Sequence, residues 1–253
     1  MIDDQHTPEA WLADRHRDHL HRNGIRDAVI EGRPYVSIDD AVREQLRSDW
    51  RFPKEAVTAS GFVIQRHRLG AEPVHPQIRY DVARVSKDGK EHQYYSPKNS
   101  GGVLDVHPAA AHLLSEVEIP LWVAESVKGA DALFSHGHLA VGFQGVWGWS
   151  YCGRPAPDWT EIPLRGREVY IVFDSDVHDR NDLRTALRRF ANFLKYEREA
   201  VVYVAQVPQP GEPKVGVDDH YGARDMGVST GSADAADAAD AVFNDFSRAA
   251  GGV

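Results

Sequence analysis

The stretch Val169-Tyr-Ile-Val-Phe-Asp-Ser-Asp-Val177 runs five β-branched or aromatic residues into two aspartates one residue apart. Val169 to Phe173 is apolar on both faces, which predicts a strand inside a sheet covered on both sides. Asp174 and Asp176 then fall at or just past its carboxyl end. In open α/β sheets, ligands sit in the crevice beyond the carboxyl ends of the strands. Two carboxylates spaced to point the same way suit Mg²⁺, which takes hard oxygen ligands. Taken alone, the pair reads equally well as a helix cap beside a solvated acid.

The 253 residues allow one large domain or two small ones. An apolar content of 42%, with nine Phe, nine Tyr and six Trp, is enough for a core. The 29 Lys and Arg against 38 Asp and Glu give a formal charge of −9. A protein that coats nucleic acid is usually basic, so a nucleic-acid role here has to be local and helped by divalent cations. The single Cys152 excludes an internal disulfide and a Cys-based zinc ribbon, and it fits a reducing cytoplasm. Residues 1–10 lack the pattern of a signal peptide, and no apolar stretch approaches the roughly 18 residues of a membrane span. A cytoplasmic chain without membrane contact is expected.

Upstream of the opening stretch, residues 1–58 read as polar and mostly helical, with a break at Asn23-Gly24 and a helix from Ile38 to Trp50 capped by Ser37. His16 and His19 share a helical face, but neither they nor His21 meet a third ligand, so a solvated face is expected rather than zinc. Residues 59–112 read as a small strand-rich unit: Gly61-Phe-Val-Ile-Gln, Gln77-Ile-Arg-Tyr-Asp-Val and Gln93-Tyr-Tyr alternate in the manner of strands, with a turn at Lys87-Asp-Gly-Lys90. Seven Lys or Arg lie between Arg66 and Lys98, interleaved with tyrosines, which suits a nucleotide or nucleic-acid surface. A solvated edge of an antiparallel sheet accounts for them as well.

From residue 113 to 226 the pattern alternates. A strand ends at Glu125, a helix spans Val127 to Ser135, and a second strand covers His138 to Phe143. After a proline-rich loop comes the opening stretch, then a helix from Asn181 to about Lys195 with Leu183, Ala186, Leu187, Phe190 and Leu194 on one face. Ala200-Val-Val-Tyr-Val-Ala is a further strand, leading to Lys214-Val-Gly-Val-Asp-Asp219. Strands alternating with helices predict βαβ units and an α/β fold built on a mostly parallel sheet flanked by helices. The Ala/Asp-rich tail, 227–253, reads as a marginal helix or a disordered acidic segment. Glu125, Asp174, Asp176, Asp218 and Asp219 all follow expected strands, so five carboxylates should gather on one sheet edge. That crowding is tolerable when a metal ion sits among them.

Leu121-Trp-Val-Ala-Glu-Ser-Val-Lys-Gly-Ala-Asp-Ala-Leu133, Gly145-Val-Trp-Gly-Trp149, the opening stretch and Lys214 to Asp219 together resemble the Toprim domain of bacterial primases, topoisomerases and some nucleases. They are most similar to a Toprim-like family of unknown function in phage, plasmid and actinobacterial replication proteins. The resemblance spans roughly residues 100–222; upstream, Gln77-Ile-Arg79 and Tyr95-Ser-Pro-Lys98 resemble the basic subdomain that precedes Toprim in primases. It implies that Asp174 and Asp176 hold Mg²⁺ or Mn²⁺, that Glu125 acts as general acid or base or shares the metal, and that Asp218 and Asp219 complete the acidic edge. Lys128 and Asp131 match the family's helix positions. Arg66, Arg68, Arg79, Lys98 and Lys128 are then the candidate contacts to nucleic acid or nucleotide, and a replicative helicase is a candidate partner. Two positions depart from the pattern: Ser126 stands where a glycine is usual, and Gly129 where a second lysine is.

Three functions compete on the sequence. The first is metal-dependent phosphoryl transfer on DNA or RNA, primase-like or nuclease-like. The second is a non-catalytic replication module of the same fold, which Ser126, Gly129 and the acidic tail favour. The third is a haloacid-dehalogenase-type phosphatase using Asp174, Asp176, Lys195 or Lys214, and Asp218-Asp219. It ranks last because its nucleophile normally follows the first strand of the domain, and here two strands come before.

Overall fold

The computed structural model of the chain describes residues 12–69, 74–86, 89–97, 100, 102–207 and 214–226. The acidic tail, the tip of the Lys87-Asp88 turn and Lys98 lie outside the described residues. The chain begins with α1 (Asp14–Arg22), α2 (Asp27–Gly32), β1 (Tyr35–Ser37), α3 (Asp40–Ser48) and α4 (Lys54–Val57). Ser37 ends a strand instead of capping the expected helix. Tyr35 and Val36 favour strand, and Asp39, an equally good cap, accepts the Val42 N–H at 2.8 Å to start α3. The solvated histidine face is also corrected. His16 is buried, 2.7 Å from Ser37 Oγ through Nδ1 and 2.9 Å from Asp81 Oδ1 through Nε2. His19 is half-buried, and burial with the nearby Lys128 charge lowers its pKa to about 3.

β2 (Gly61–Ile64), β3 (Gln77–Val85) and β4 (Glu91–Tyr95) follow, and with β1 they form an antiparallel sheet in the order β1-β2-β3-β4. The second sheet holds β5 (Asp105–Val106), β6 (Leu121–Ala124) and β7 (Ala140–Gly142), with α5 (Val127–Ser135) between the last two. A small hairpin, β8 (Ser150–Tyr151) and β9 (Arg154–Pro155), occupies the proline-rich loop. β10 (Glu168–Val172), α6 (Asn181–Asn192), β11 (Val201–Ala205) and α7 (Val217–Asp225) complete the described elements. The second sheet has the order β11-β10-β6-β7-β5; its first four strands are parallel, and β5 joins antiparallel at the edge, so the sheet is mixed.

The alternation of side chains along these strands separates two layers. Leu121, Val123, Val169 and Ile171 face α6 and the aromatic packing of Trp149, Trp159, Phe190 and Phe193. Trp122, Ala124, Val172 and Ala205 face the other way, onto α5, α7, α1 and α2. Covering on both sides explains why β10 carries no charge after Glu168. The second layer also takes in Leu20, Ile25, Val29, Tyr35, Phe62 and Ile64, so one cluster of buried side chains runs across the positions 58 and 112 where boundaries were expected. α1 crosses α7 at a distance that only glycine permits: a Cβ on Gly222 would lie 1.8 Å from the Arg22 carbonyl oxygen.

A buried ion cluster ties the two sheets together. Arg33 donates from Nη1 and Nη2 to both oxygens of Asp105 on β5, at 3.0 Å and 2.6 Å, and its Nε lies 2.7 Å from Asp131 Oδ2 on α5. Tyr35 Oη donates to the same Asp131 oxygen at 2.5 Å. The side chains of Arg33, Asp105 and Asp131 are 0% exposed. Buried charges of this kind persist only when paired and hydrogen-bonded.

Candidate active site

β6 and β10 are neighbours in parallel register, with Ala124 opposite Val172. Glu125 therefore leaves the sheet directly beside the point where β10 runs out towards Asp174. A single 3₁₀ turn, Ser175–His178, then carries Asp176 back over the same edge. The turn after β6 passes so close to β7 that a Cβ on Gly142 would lie 2.5 Å from the Ser126 carbonyl oxygen. The fourth member comes from far along the chain. Ser175 N–H donates to the Val215 carbonyl at 3.0 Å, and Val215 N–H donates back to Ser175 Oγ at 2.8 Å. This clamp delivers Lys214 to the acids: its Nζ is 2.7 Å from Asp174 Oδ2, 3.4 Å from Glu125 Oε1 and 3.8 Å from Asp176 Oδ1.

The electrostatics follow from that crowding. The three acids are 12–19% exposed, while Lys214 is half exposed. Burial, then the hydrogen bond and negative charge of Asp174, push Glu125 up to about 9, with Lys214 opposing. Burial works against the Lys214 charge, but Asp174, Glu125 and Asp176 outweigh it and raise its pKa. One ammonium is shared by three carboxyl groups, and the buried Oδ1 of Asp176 is left without a hydrogen-bond partner.

The expected strand before Asp218-Asp219 is corrected. Both acids sit in the first turn of α7, where the helix dipole favours them. Asp219 Oδ2 accepts the Gly216 N–H at 3.1 Å. Asp218 Oδ2 accepts from Lys128 Nζ at 2.9 Å, and Asn23 bridges the pair, accepting from Lys128 at 2.8 Å and donating to Asp219 Oδ1 at 3.0 Å. Burial pushes Asp218 up, but Lys128 prevails and holds it below its ordinary value; Asp219 is raised by burial and by the Asp218 charge. Gly216 joins this group to the first. A Cβ there would lie 2.5 Å from Asp218 Oδ1, 3.2 Å from Asp174 Oδ1 and 3.5 Å from Asp219 Oδ2, so three carboxylates border one small cradle.

The candidate nucleic-acid contacts fare differently. Arg66 is 3% exposed and donates to the carbonyls of Ser100 and Val103, which makes it a structural residue and not a surface one. Arg68 is committed to the buried Asp158, with Nε 2.7 Å from Oδ1. Arg79 is half-buried over the Phe62 ring, and Lys128 is buried in the ion pair just described. Lys98 lies outside the described residues. Arg66, Arg68 and Lys128 thus spend their charges on partners inside the fold. Lys195, the other lysine considered for phosphatase chemistry, stacks on Tyr196 with Nζ 5.3 Å from the ring.

The two departures have local reasons. Ser126 is extended, φ −142° and ψ 156°, a conformation that needs no glycine, and its Oγ caps α5 by accepting the Gly129 N–H at 2.9 Å. A Cβ at position 129 would meet Ser126 Oγ, Ala124 Cβ and Val217 Cγ1 at 3.0–3.1 Å, so the site has closed around the glycine. Asn23 and Gly216 escaped the sequence reading. Asn23 sits in a helix-breaking Asn-Gly pair nearly two hundred residues from Asp219, and no local signal links them. Among the described residues, no group of three His, Cys, Asp or Glu side chains stands ready as a closed metal cage.

Residues 111–225 match the family model described as a domain of unknown function, DUF3854. Among curated proteins none matches the sequence. Among solved structures, the fold is similar to that of the Aquifex aeolicus primase (zinc binding and RNA polymerase domains), with a TM-score of 0.54 and 14% identity over 87% of this chain and 56% of that one. It is similar to the structure of the DnaG catalytic core at the same TM-score, 0.54, with 15% identity over 86% of this chain and 73% of that one. The chain thus spans just over half of the Aquifex structure, and at these identities the likeness is one of fold. In sum of family model and fold, the chain carries a DUF3854-matching segment within an architecture similar to bacterial primase catalytic cores.

Proposed function

We propose that the chain performs metal-dependent phosphoryl transfer on DNA or RNA, primase-like or nuclease-like, within phage- or plasmid-type replication. The observation that carries this reading is the meeting of Glu125, Asp174 and Asp176 at the carboxyl ends of adjacent parallel strands, with a single ammonium among them. The donors are all hard oxygens, one buried oxygen of Asp176 is unused, and the Gly216 cradle brings Asp218 and Asp219 within reach of Asp174. These features fit Mg²⁺ or Mn²⁺, held by Asp174 and Asp176 with Glu125, Asp218 and Asp219 around them. A divalent ion there would neutralise charge developing on phosphate oxygens.

The chain's own residues supply the rest. In the metal-free site burial and Asp174 raise the Glu125 pKa to about 9, which suits this carboxyl to exchange a proton with a reacting oxygen. Lys214, half exposed, is placed to turn its charge from the acids to a phosphate. Nucleotides and a replicative helicase belong to this reading as partners, and the cytoplasm as its setting; among the described residues no helix is long and apolar enough to cross a membrane. Calorimetric titration of Mg²⁺ or Mn²⁺ into wild type and Asp174→Asn/Asp176→Asn tests it, followed by primer-synthesis and nicking assays. Equal metal affinity in both proteins would sink the metal site.

A second reading is a non-catalytic module of the same fold that binds nucleic acid or a helicase. It is favoured by the fact that both lysines of the site, Lys214 and Lys128, are already paired with its acids. DNA binding without turnover on either metal would select it.

A further inference from the structure

The exposed face of α6 carries Arg180, Arg184 and Arg188 at steps of four residues, with Arg189 beside them and Lys195 on the turn that follows. Such spacing stacks the side chains along one side of the helix. Arg184 donates to the Asn181 side chain, and the positions three and four residues from Arg184 and Arg188 hold Arg, Asn, Leu, Thr and Ala and no acid. α3 shows the opposite habit, pairing Arg43 with Asp40 and Arg47 with Glu44. A row of like charges on a helix costs a few tenths of a kcal/mol per pair, and it stands out in a chain of net charge −9. It also starts at the site, where Arg180 Nη1 lies 3.9 Å from Asp176 Oδ2. Asp182, the one acid in the first turn, is held by Arg180 at 2.7 Å.

An aromatic side chain flanks the row. Trp147 is 42% exposed, and the Arg189 guanidinium sits 5.7 Å from its ring centre. Trp147 lies on the loop after β7, whose Gly145 N–H donates to the Glu125 carbonyl at 2.9 Å, so this loop too begins at the site. A row of guanidinium groups tracks a phosphate backbone, and an exposed indole gives a base a face to stack on. Four helical residues advance about 6 Å, so the guanidinium groups stand in an evenly spaced line.

We propose that the α6 face, from Arg180 past Arg184, Arg188 and Arg189, with Trp147, binds single-stranded nucleic acid and leads it to the acidic site. The proposal rests on the reading of that site as one that works on nucleic acid, and it moves the contact surface away from Arg66 and Arg68, which are held by partners within the fold.

Fluorescence anisotropy of the full chain with a labelled oligothymidylate tests it between about 50 and 200 mM salt. Arg184→Ala/Arg188→Ala/Arg189→Ala should weaken binding at least tenfold at the lower salt. It should also flatten the log K against log salt slope by about 2, at roughly 0.7 per phosphate contact on a single strand. Trp147→Ala should weaken binding several-fold with the slope unchanged. Arg47→Ala/Arg51→Ala/Lys54→Ala removes the same charge from an exposed surface elsewhere and should leave affinity within about twofold. Wild-type affinity in the α6 variant, an equal loss in the α3–α4 variant, or no oligonucleotide binding by wild type would each overturn the proposal; the last would leave the face to an acidic protein. The outcome is independent of the metal titration: Asp174→Asn/Asp176→Asn can lose metal while the α6 face still binds, and the reverse holds equally.

Discussion

Lys214 Nζ lies 2.7 Å from Asp174 Oδ2, with Glu125 and Asp176 on its other sides, so an ammonium stands in the middle of the acids that sequence assigns to a metal. On the proposed function it is a resident cation that a divalent ion would have to displace. Lys214→Met should therefore tighten Mg²⁺ binding on the order of tenfold, about 1.4 kcal/mol, and lower the melting temperature in chelator through carboxylate repulsion. Calorimetry and thermal melts with and without Mg²⁺ check both; unchanged Mg²⁺ affinity contradicts the displacement.

Glu125 gives a pH dependence of known sign. Its pKa in the folded chain, about 9, lies above the ordinary 4.5. Between those values the folded protein binds more protons than the unfolded one, so stability falls as pH rises. Glu125→Gln removes this slope: it should match wild type near pH 5 and exceed it at pH 8, both measured in chelator. A melting-temperature difference that does not grow with pH would count against a raised Glu125.

Arg33 pairs with both Asp105 and Asp131 in a site closed to water. Arg33→Met leaves two buried carboxylates facing each other with Tyr35. Breaking a buried pair by removing one partner costs about 3–5 kcal/mol, read from the urea midpoint. A shift below about 1 kcal/mol would mean that water reaches the site.

Changing either unusual residue at the α5 start should destabilise the fold. Ser126→Ala removes the cap on Gly129 N–H and should cost about 1 kcal/mol. Gly129→Lys forces a Cβ against Ser126, Ala124 and Val217 and should cost about 1–3 kcal/mol. Chemical denaturation compares them with wild type; a more stable Gly129→Lys would show that the closed packing gives way readily.

Much of the α/β half was legible because its signals are local. The apolar run of β10, the Val127–Ser135 periodicity and the α6 face each follow from side chains a few residues apart, and the chain alternation then fixes parallel neighbours. The placement of Glu125 beside Asp174 needed only that neighbouring strands end together. What stayed hidden depends on long-range partners. Arg66 and Lys128 look like surface charges until Ser100, Val103, Asn23 and Asp218 are seen around them. β5, two residues long, carries too little pattern to announce an antiparallel edge. Asp218 and Asp219 follow a glycine, and nothing nearby distinguishes a strand end from a helix start.

The Arg33 cluster also sets how the chain comes apart. Arg33 leads into β1 of one sheet, while its carboxylate partners stand on β5 and α5 of the other. Neither sheet can melt alone without stranding an ion in an apolar interior. A fragment that starts near residue 58 would keep the aromatic layer around Phe190 but carry Asp105 and Asp131 without their guanidinium.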